Sequence, residues 1–232
     1  MARYTSAYSS LLLRLKEVEV LRRSAAAKER SDPINLRHDI NAFCRGAIVL
    51  LSAHLEAYIK ELGEVVLTNI HAKAVPRTAM APQFFYHLSK DLLDEVQDTS
   101  DPIKIAAKVF DFLQHDVAYW DRMGPFPQPL PLDRFNKGFS NPAFEKIRAY
   151  FNRFGYTDYK VELARKLKVD YSVTVNMVDH LVDTRNKIAH GDPAATKTPT
   201  DVKDMIRITR AYCGATDTIF ASWCKREICA IR

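Results

Sequence analysis

Glycine is scarce in this chain, at 7 of 232 residues. That is too few for a β-rich fold with many tight turns, or for an architecture built on glycine-rich phosphate loops. Cysteine is scarce too: Cys44, Cys213, Cys224 and Cys229 form no Cys-x-x-Cys pair, and none stands with histidine at zinc spacing. Their surroundings read as helical core or its edge, so buried, reduced thiols of a cytoplasmic protein are expected, with no metal and no other cofactor. No uninterrupted run of 18 apolar residues occurs, which leaves no expected membrane span. The first 20 residues hold one short apolar run followed by charges, and no small-residue cleavage pattern follows; no signal peptide is expected.

What is present is ordinary for a globular protein: 47% hydrophobic and 27% charged residues. The length suits one large domain, or a domain with an insertion, able to bury a core. A net charge of +6 and a pI near 9.1 sit well with a polyanionic partner such as RNA, although many basic proteins bind none.

Nearly every periodic segment has the helical period. Leu11, Leu12, Leu15 and Val18 mark a helix over about 4–30. The longest stripe follows over about 35–73, where Ile40, Phe43, Ala47, Ile48, Leu51, Leu55, Ile59, Leu62 and Val66 recur every three or four residues; Pro76 closes it. Residues 82–97 predict a third helix. Asp101-Pro102 then gives a cap and a first-turn proline for a fourth, over 103–120. Four prolines alternate over 125–131, a spacing that forbids helix and favours an extended surface arm with Phe126, Leu130, Leu132, Phe135 and Phe139 for contacts. Asn141-Pro142 reads as a cap restarting a helix that Gly155 ends. A short helix over 158–168 is possible, and helices over 171–190 and 200–230 are clear. The expectation is all-α: one domain over 1–232, two long helices at the front against two at the back. Residues 76–140 form an insertion, including a proline-rich arm over 122–140.

The helix over 171–190 ends abruptly in Thr-Arg-Asn-Lys-Ile-Ala-His-Gly-Asp-Pro, residues 184–193. At 100° per residue, Val178, Leu181, Val182 and Arg185 fall together, while Asp179, Asp183, Asn186 and His190 share an adjacent face. An arginine at the margin of a buried stripe needs a partner, because an unpaired buried guanidinium costs several kcal/mol, roughly. Glu56, alone among the residues 43–58 in carrying a carboxylate, is one candidate to bond Arg185 or orient His190; a plain i,i+4 pair with Lys60 is the other reading. Cations and a following glycine are also what an ordinary helix C-terminus favours, so the residues alone leave both readings open.

Arg185-Asn186-Lys187-Ile188-Ala189-His190 resembles the signature of the HEPN family: an arginine, usually followed by a polar residue, and a histidine near a helix end with four to six residues between the two, four of them here. The likeness is to the prokaryotic branch found with RiboL-PSP domains and in toxin–antitoxin or defence loci. There an early helix carries a pattern like LLSAHLEAYIKEL (50–62), and an NP…RFG segment like 141–155 precedes the motif helix. The proline-rich arm has no counterpart in that pattern. The resemblance implies a core of four to five helices and a homodimer whose motif helices face each other in a composite active site. It also implies metal-independent cleavage of RNA, with Arg185, His190 and Asn186 as the catalytic residues; Glu56 is expected to support them from its place on the second helix. The chemistry suits them: His190 can move protons near neutral pH, and Arg185 can bond a phosphate bidentately. Asn186 is placed to position the phosphate or the imidazole.

Lys60, Lys187, Arg207 and Arg210 are weaker candidates for RNA-backbone contacts, against a solvated face or, for Lys187, a pair with Asp183. Tyr150, Phe151, Phe154 and Tyr156 have a spacing that favours core over base stacking. A toxin or phage-defence ribonuclease with an antitoxin or sensor partner is the expected setting. A non-catalytic RNA-binding or dimerisation module is the alternative, and a purely structural helical protein a third.

Overall fold

The computed structural model describes residues 4–121 and 123–232; residues 1–3 and 122, the last of which opens the proline-rich arm, lie outside the description. The described residues form helices and turns, with one isolated bridge between Pro76 and Pro125 and no strand. Four long helices make the body: α1 (Ser6–Ser31), α2 (Arg37–Ala72), and, from the far end of the chain, α10 (Tyr171–Ala189) and α11 (Pro199–Glu227). α2 is the central member and packs on the other three. The sequence stripe explains it: Ile40, Ala47, Ile48, Leu51, Leu55, Ile59, Leu62 and Val66 are all buried. By length and mean hydropathy, 1.3 over its most apolar window, α2 is long and apolar enough to cross a membrane, although polar residues interrupt its apolar runs. In this fold its apolar stripe is covered by α1, α10 and α11.

The two ends of the chain are locked by polar contacts. Thr5 caps α1, its side chain accepting from the Tyr8 N–H, and α11 opens on a capping box between Thr198 and Asp201 with Pro199 in the first turn. Asp217, fully buried on α11, accepts from the Thr5 backbone N–H at 3.1 Å and from the Thr5 hydroxyl. Burial raises the Asp217 carboxyl above the usual carboxylate range, and the Thr5 bonds oppose that shift.

Between these pairs run seven shorter helices: α3 (Pro82–Leu88), α4 (Lys90–Gln97), α5 (Pro102–His115), α6 (Val117–Trp120), α7 (Leu132–Asn136), α8 (Phe144–Asn152) and α9 (Tyr159–Leu167). Two helices expected to be continuous are each broken, and tertiary contacts supply the reason. The 82–97 helix stops at Ser89, which is buried and takes the Trp120 indole N–H at 2.9 Å. The 103–120 helix stops at Asp116, whose buried carboxylate binds Arg134 at 3.1 Å. The proline-rich stretch packs on the body through Phe126, Leu130, Phe135 and Phe139, four of the residues expected to make its contacts, and departs from the extended reading in α7, which forms inside it. Arg77 anchors it, donating to the carbonyls of Gly124, Ala118 and Met123.

Tyr150, Phe151, Phe154 and Tyr156 are core, as their spacing suggests, and pack with Phe135, Tyr159, Phe220 and Trp223. Cys44, Cys213 and Cys224 are buried thiols and Cys229 is half-buried; all four are free.

Candidate active site

α10 ends where the sequence places its motif. Gly191 takes a φ of +78°, its N–H bonding the Ile188 carbonyl at 3.1 Å, while the Asp192 N–H bonds the Lys187 carbonyl at 3.0 Å. This double closure reverses the chain directly after His190, and a glycine suits it because a side chain at positive φ is strained. The reversal is tied to α2: Arg45 Nη1 donates to the Asp192 carbonyl at 2.9 Å.

Val178, Leu181 and Val182 are buried against the body, and Arg185 and Asn186 are half-buried at the margin, as the helical wheel requires. Arg185 meets its need for partners without a carboxylate. Its Nη1 donates to Asn141 Oδ1 and to Asn186 Oδ1, each at 3.1 Å. Among the described residues no acid pairs with it, and its Nε–Nη2 edge takes no protein partner. That edge is the fork that binds a phosphate or carboxylate side-on. His190, the residue that ends α10, is exposed, and its ring makes no hydrogen bond to the described residues.

His190 lies five positions after Arg185, about 7.5 Å along the axis and about 140° around it in an ideal helix. No hydrogen bond joins their side chains. Asn186 bonds Arg185 through its carbonyl oxygen and leaves the imidazole unassisted, so of the two positioning roles considered for it, orienting His190 is not the one adopted.

Glu56 departs from both direct contacts expected of it. One oxygen takes Lys60 at 2.7 Å, the i,i+4 pair, and the other accepts the backbone N–H of Asn141 at 3.2 Å. Its link to Arg185 therefore runs through Asn141, and it has no bond to His190.

Asn141, whose place before Pro142 suggests a cap for α8, does not serve as one: that helix begins at Phe144 behind Ala143, without a side-chain cap. The first-turn N–H of Phe144 is satisfied from α10 instead, by Asp179 Oδ1 at 2.7 Å. Asn141 itself sits at φ +53° directly before Pro142, a conformation that costs a side-chain-bearing residue roughly 1–3 kcal/mol and that asparagine tolerates better than most. No single-sequence signal separates this asparagine from an ordinary Asn-Pro helix start.

The weaker cationic candidates are mostly engaged. Lys60 pairs with Glu56, Lys187 with Asp183 at 2.8 Å, and Arg207 with Asp204 at 3.2 Å. Arg210 lines a groove between α1 and α11 with Leu12, Leu15, Lys16, Val20 and Ile206. Among the described residues no group of three or more His, Cys, Asp or Glu side chains is arranged to hold a metal ion.

The arrangement is thus a guanidinium whose charge no acid cancels, held by two neutral amides at a solvent-reached helix end that also carries an imidazole. An oxyanion, and above all a phosphate, complements it. One family model, described as RiboL-PSP-HEPN, matches residues 9–222. No curated protein and no solved structure matches the chain.

Proposed function

Because the chain belongs to the RiboL-PSP-HEPN family, we propose that it is an endoribonuclease that cuts RNA without a metal, with Arg185 and His190 as its catalytic pair. A toxin or phage-defence role, restrained by an antitoxin or sensor protein in the cytoplasm, is the setting this reading adopts. The observation that carries it is the open Nε–Nη2 edge of Arg185, a side-on fork with its charge intact.

In the reaction, the RNA 2′-hydroxyl loses its proton to a base and forms a bond to the adjacent phosphorus. The bond from phosphorus to the 5′-oxygen breaks, and that oxygen receives a proton from an acid. The products are a 2′,3′-cyclic phosphate and a 5′-hydroxyl. Imidazole suits both proton transfers, since its unperturbed pKa lies near neutrality. Arg185 would neutralise the charge growing on the phosphoryl oxygens, a role in which a single donor is worth roughly a hundredfold or more in rate. Each chain has one motif histidine, whereas the cycle needs an acid and a base. A twofold homodimer with facing α10 helices supplies both.

A second reading is a non-catalytic RNA- or nucleotide-binding or dimerisation module. It is favoured by the His190 ring, whose orientation no hydrogen bond to the described residues fixes. One experiment separates the two: purified protein, RNA and EDTA, with His190→Ala and Arg185→Ala beside the wild type. Cleavage that persists in EDTA, leaves cyclic-phosphate ends and falls at least about a hundredfold in each variant is expected. Binding without cleavage by all three proteins would establish the module instead.

A further inference from the structure

Resting on the phosphate-binding role given to Arg185, we propose that Asn141 is a positioning residue of the site: a neutral spacer that fixes the guanidinium while keeping the Glu56 carboxylate off it.

The argument starts from charge. A carboxylate beside Arg185 would satisfy it better than an amide does, and would also cancel the charge a phosphate needs. One such carboxylate is at hand. Glu56 Oε2 accepts the Asn141 backbone N–H at 3.2 Å, and the Asn141 side-chain oxygen in turn accepts from Arg185 at 3.1 Å. A single residue thus stands between acid and base, its main chain turned to one and its side chain to the other. Lys60 takes the second oxygen of Glu56, so the acid is compensated on its own helix.

Geometry gives the spacer its direction. Asn141 and Asn186 both bind Nη1, which leaves Nε and Nη2 as a free side-on fork. An acceptor on Nε, or on the Nη2 hydrogen beside it, would occupy that fork, whereas two on Nη1 leave it open. Asn141 makes both contacts from a backbone in the left-handed region, at φ +53° before Pro142. Neither end of α8 uses the asparagine, since Asp179 serves the first-turn N–H, so helix capping does not explain the strained conformation.

Two substitutions keep the backbone and change one property each. Asn141→Asp has the same shape, tolerates positive φ, and brings a carboxylate onto Nη1. Asn141→Gly keeps the turn and removes the acceptor while leaving the charge of Arg185 intact. Binding is read with a 2′-O-methyl RNA oligonucleotide, which cannot be cut, across a salt series, and cleavage is read separately with unmodified RNA in EDTA. Melting curves check that both variants fold.

Asn141→Asp is expected to weaken binding of the inert RNA about ten- to a hundredfold and to lower the salt slope by about one phosphate contact. Asn141→Gly is expected to keep the wild-type slope and to lose mainly kcat. Equal binding and equal slopes in all three folded proteins would overturn the spacer role, as would an equal loss in both variants, the mark of a merely structural residue. If the wild type binds but does not cut, and Asn141→Asp still lowers the slope, the nuclease reading fails and the spacer stands. If the wild type does not bind the RNA, both fall.

Discussion

An arginine half-buried beside a packed stripe normally takes a carboxylate; Arg185 takes two amide oxygens instead, at 3.1 Å each. Its position was legible, because the helical period puts residue 185 with Val178, Leu181 and Val182. The identity of its partner was not, since Asn141 comes from 44 residues away and reads locally as a helix cap. Another residue, His87, shows how burial decides chemistry at this scale. On α3, its Nδ1 is buried without a hydrogen bond, its ring meets Phe135 edge-on, and Arg153 and Lys90 lie close enough to add repulsion, with Asp94 opposing them. Desolvation first, then those cations, push its pKa down to about 4. Between pH 4 and the ordinary histidine value near 6.5, the unfolded chain therefore binds more protons at this position than the folded one, so stability rises with pH across that window and is lost as pH falls. Thermal melts of wild type and His87→Gln at pH 7.5 and 4.5 test this: the wild type should lose roughly a few degrees more on acidification than the variant. An identical pH response in both would show that the folded ring titrates at the ordinary histidine value, without the depressed pKa.

At the scale of elements, periodicity located the helices and tertiary contacts decided where they break. α1, α2, α10 and α11 were readable because each has a long apolar stripe, which is a local property. Ser89 and Asp116 interrupt their helices for partners at Trp120 and Arg134, and neither pairing is local. The proline-rich stretch misled in the other direction: prolines exclude helix only where they stand, and Leu132–Asn136 turns helical just past the last of them. Elements also differ in how much packing they carry. Gly63 on α2 lies against Tyr150, and a Cβ there would overlap the tyrosine hydroxyl. That hydroxyl is not free to retreat, because it donates to Asn136, which bonds Glu64 at 2.8 Å. α5 is the opposite case: it has no buried residue, and Ile103 and Phe110 are 82% and 60% exposed. Gly63→Ala should therefore destabilise by about 1–3 kcal/mol, the range for an overpacked core, while Phe110→Ala should stay within about 0.5 kcal/mol. Urea titrations of the two variants measure both, and comparable losses would contradict this division of the chain.

For the whole molecule, the question is how one helix end with one imidazole completes a cycle that needs two proton transfers. α10 packs on α2 and α11 with its buried stripe, and the end of the same helix carries Arg185 half-buried and His190 exposed. An all-α bundle over most of the chain was legible, since that needs only the helical period and a family pattern spanning 9–222. Assembly rests on the family likeness alone, because helical periodicity marks a buried face without telling which chain covers it. If the site is composite, activity depends on pairs of intact chains, and mixing exposes the dependence. Co-refolding wild type with a ninefold excess of the Arg185→Ala/His190→Ala double variant would leave about one wild-type chain in ten paired with another, by random assortment in a twofold dimer. Cleavage per wild-type chain should then fall about tenfold, whereas sites complete within one chain would keep their full rate at every mixing ratio. Sedimentation of the same mixtures fixes the fraction dimeric, so a loss of rate without mixed dimers would trace to competition for RNA and count against the shared site.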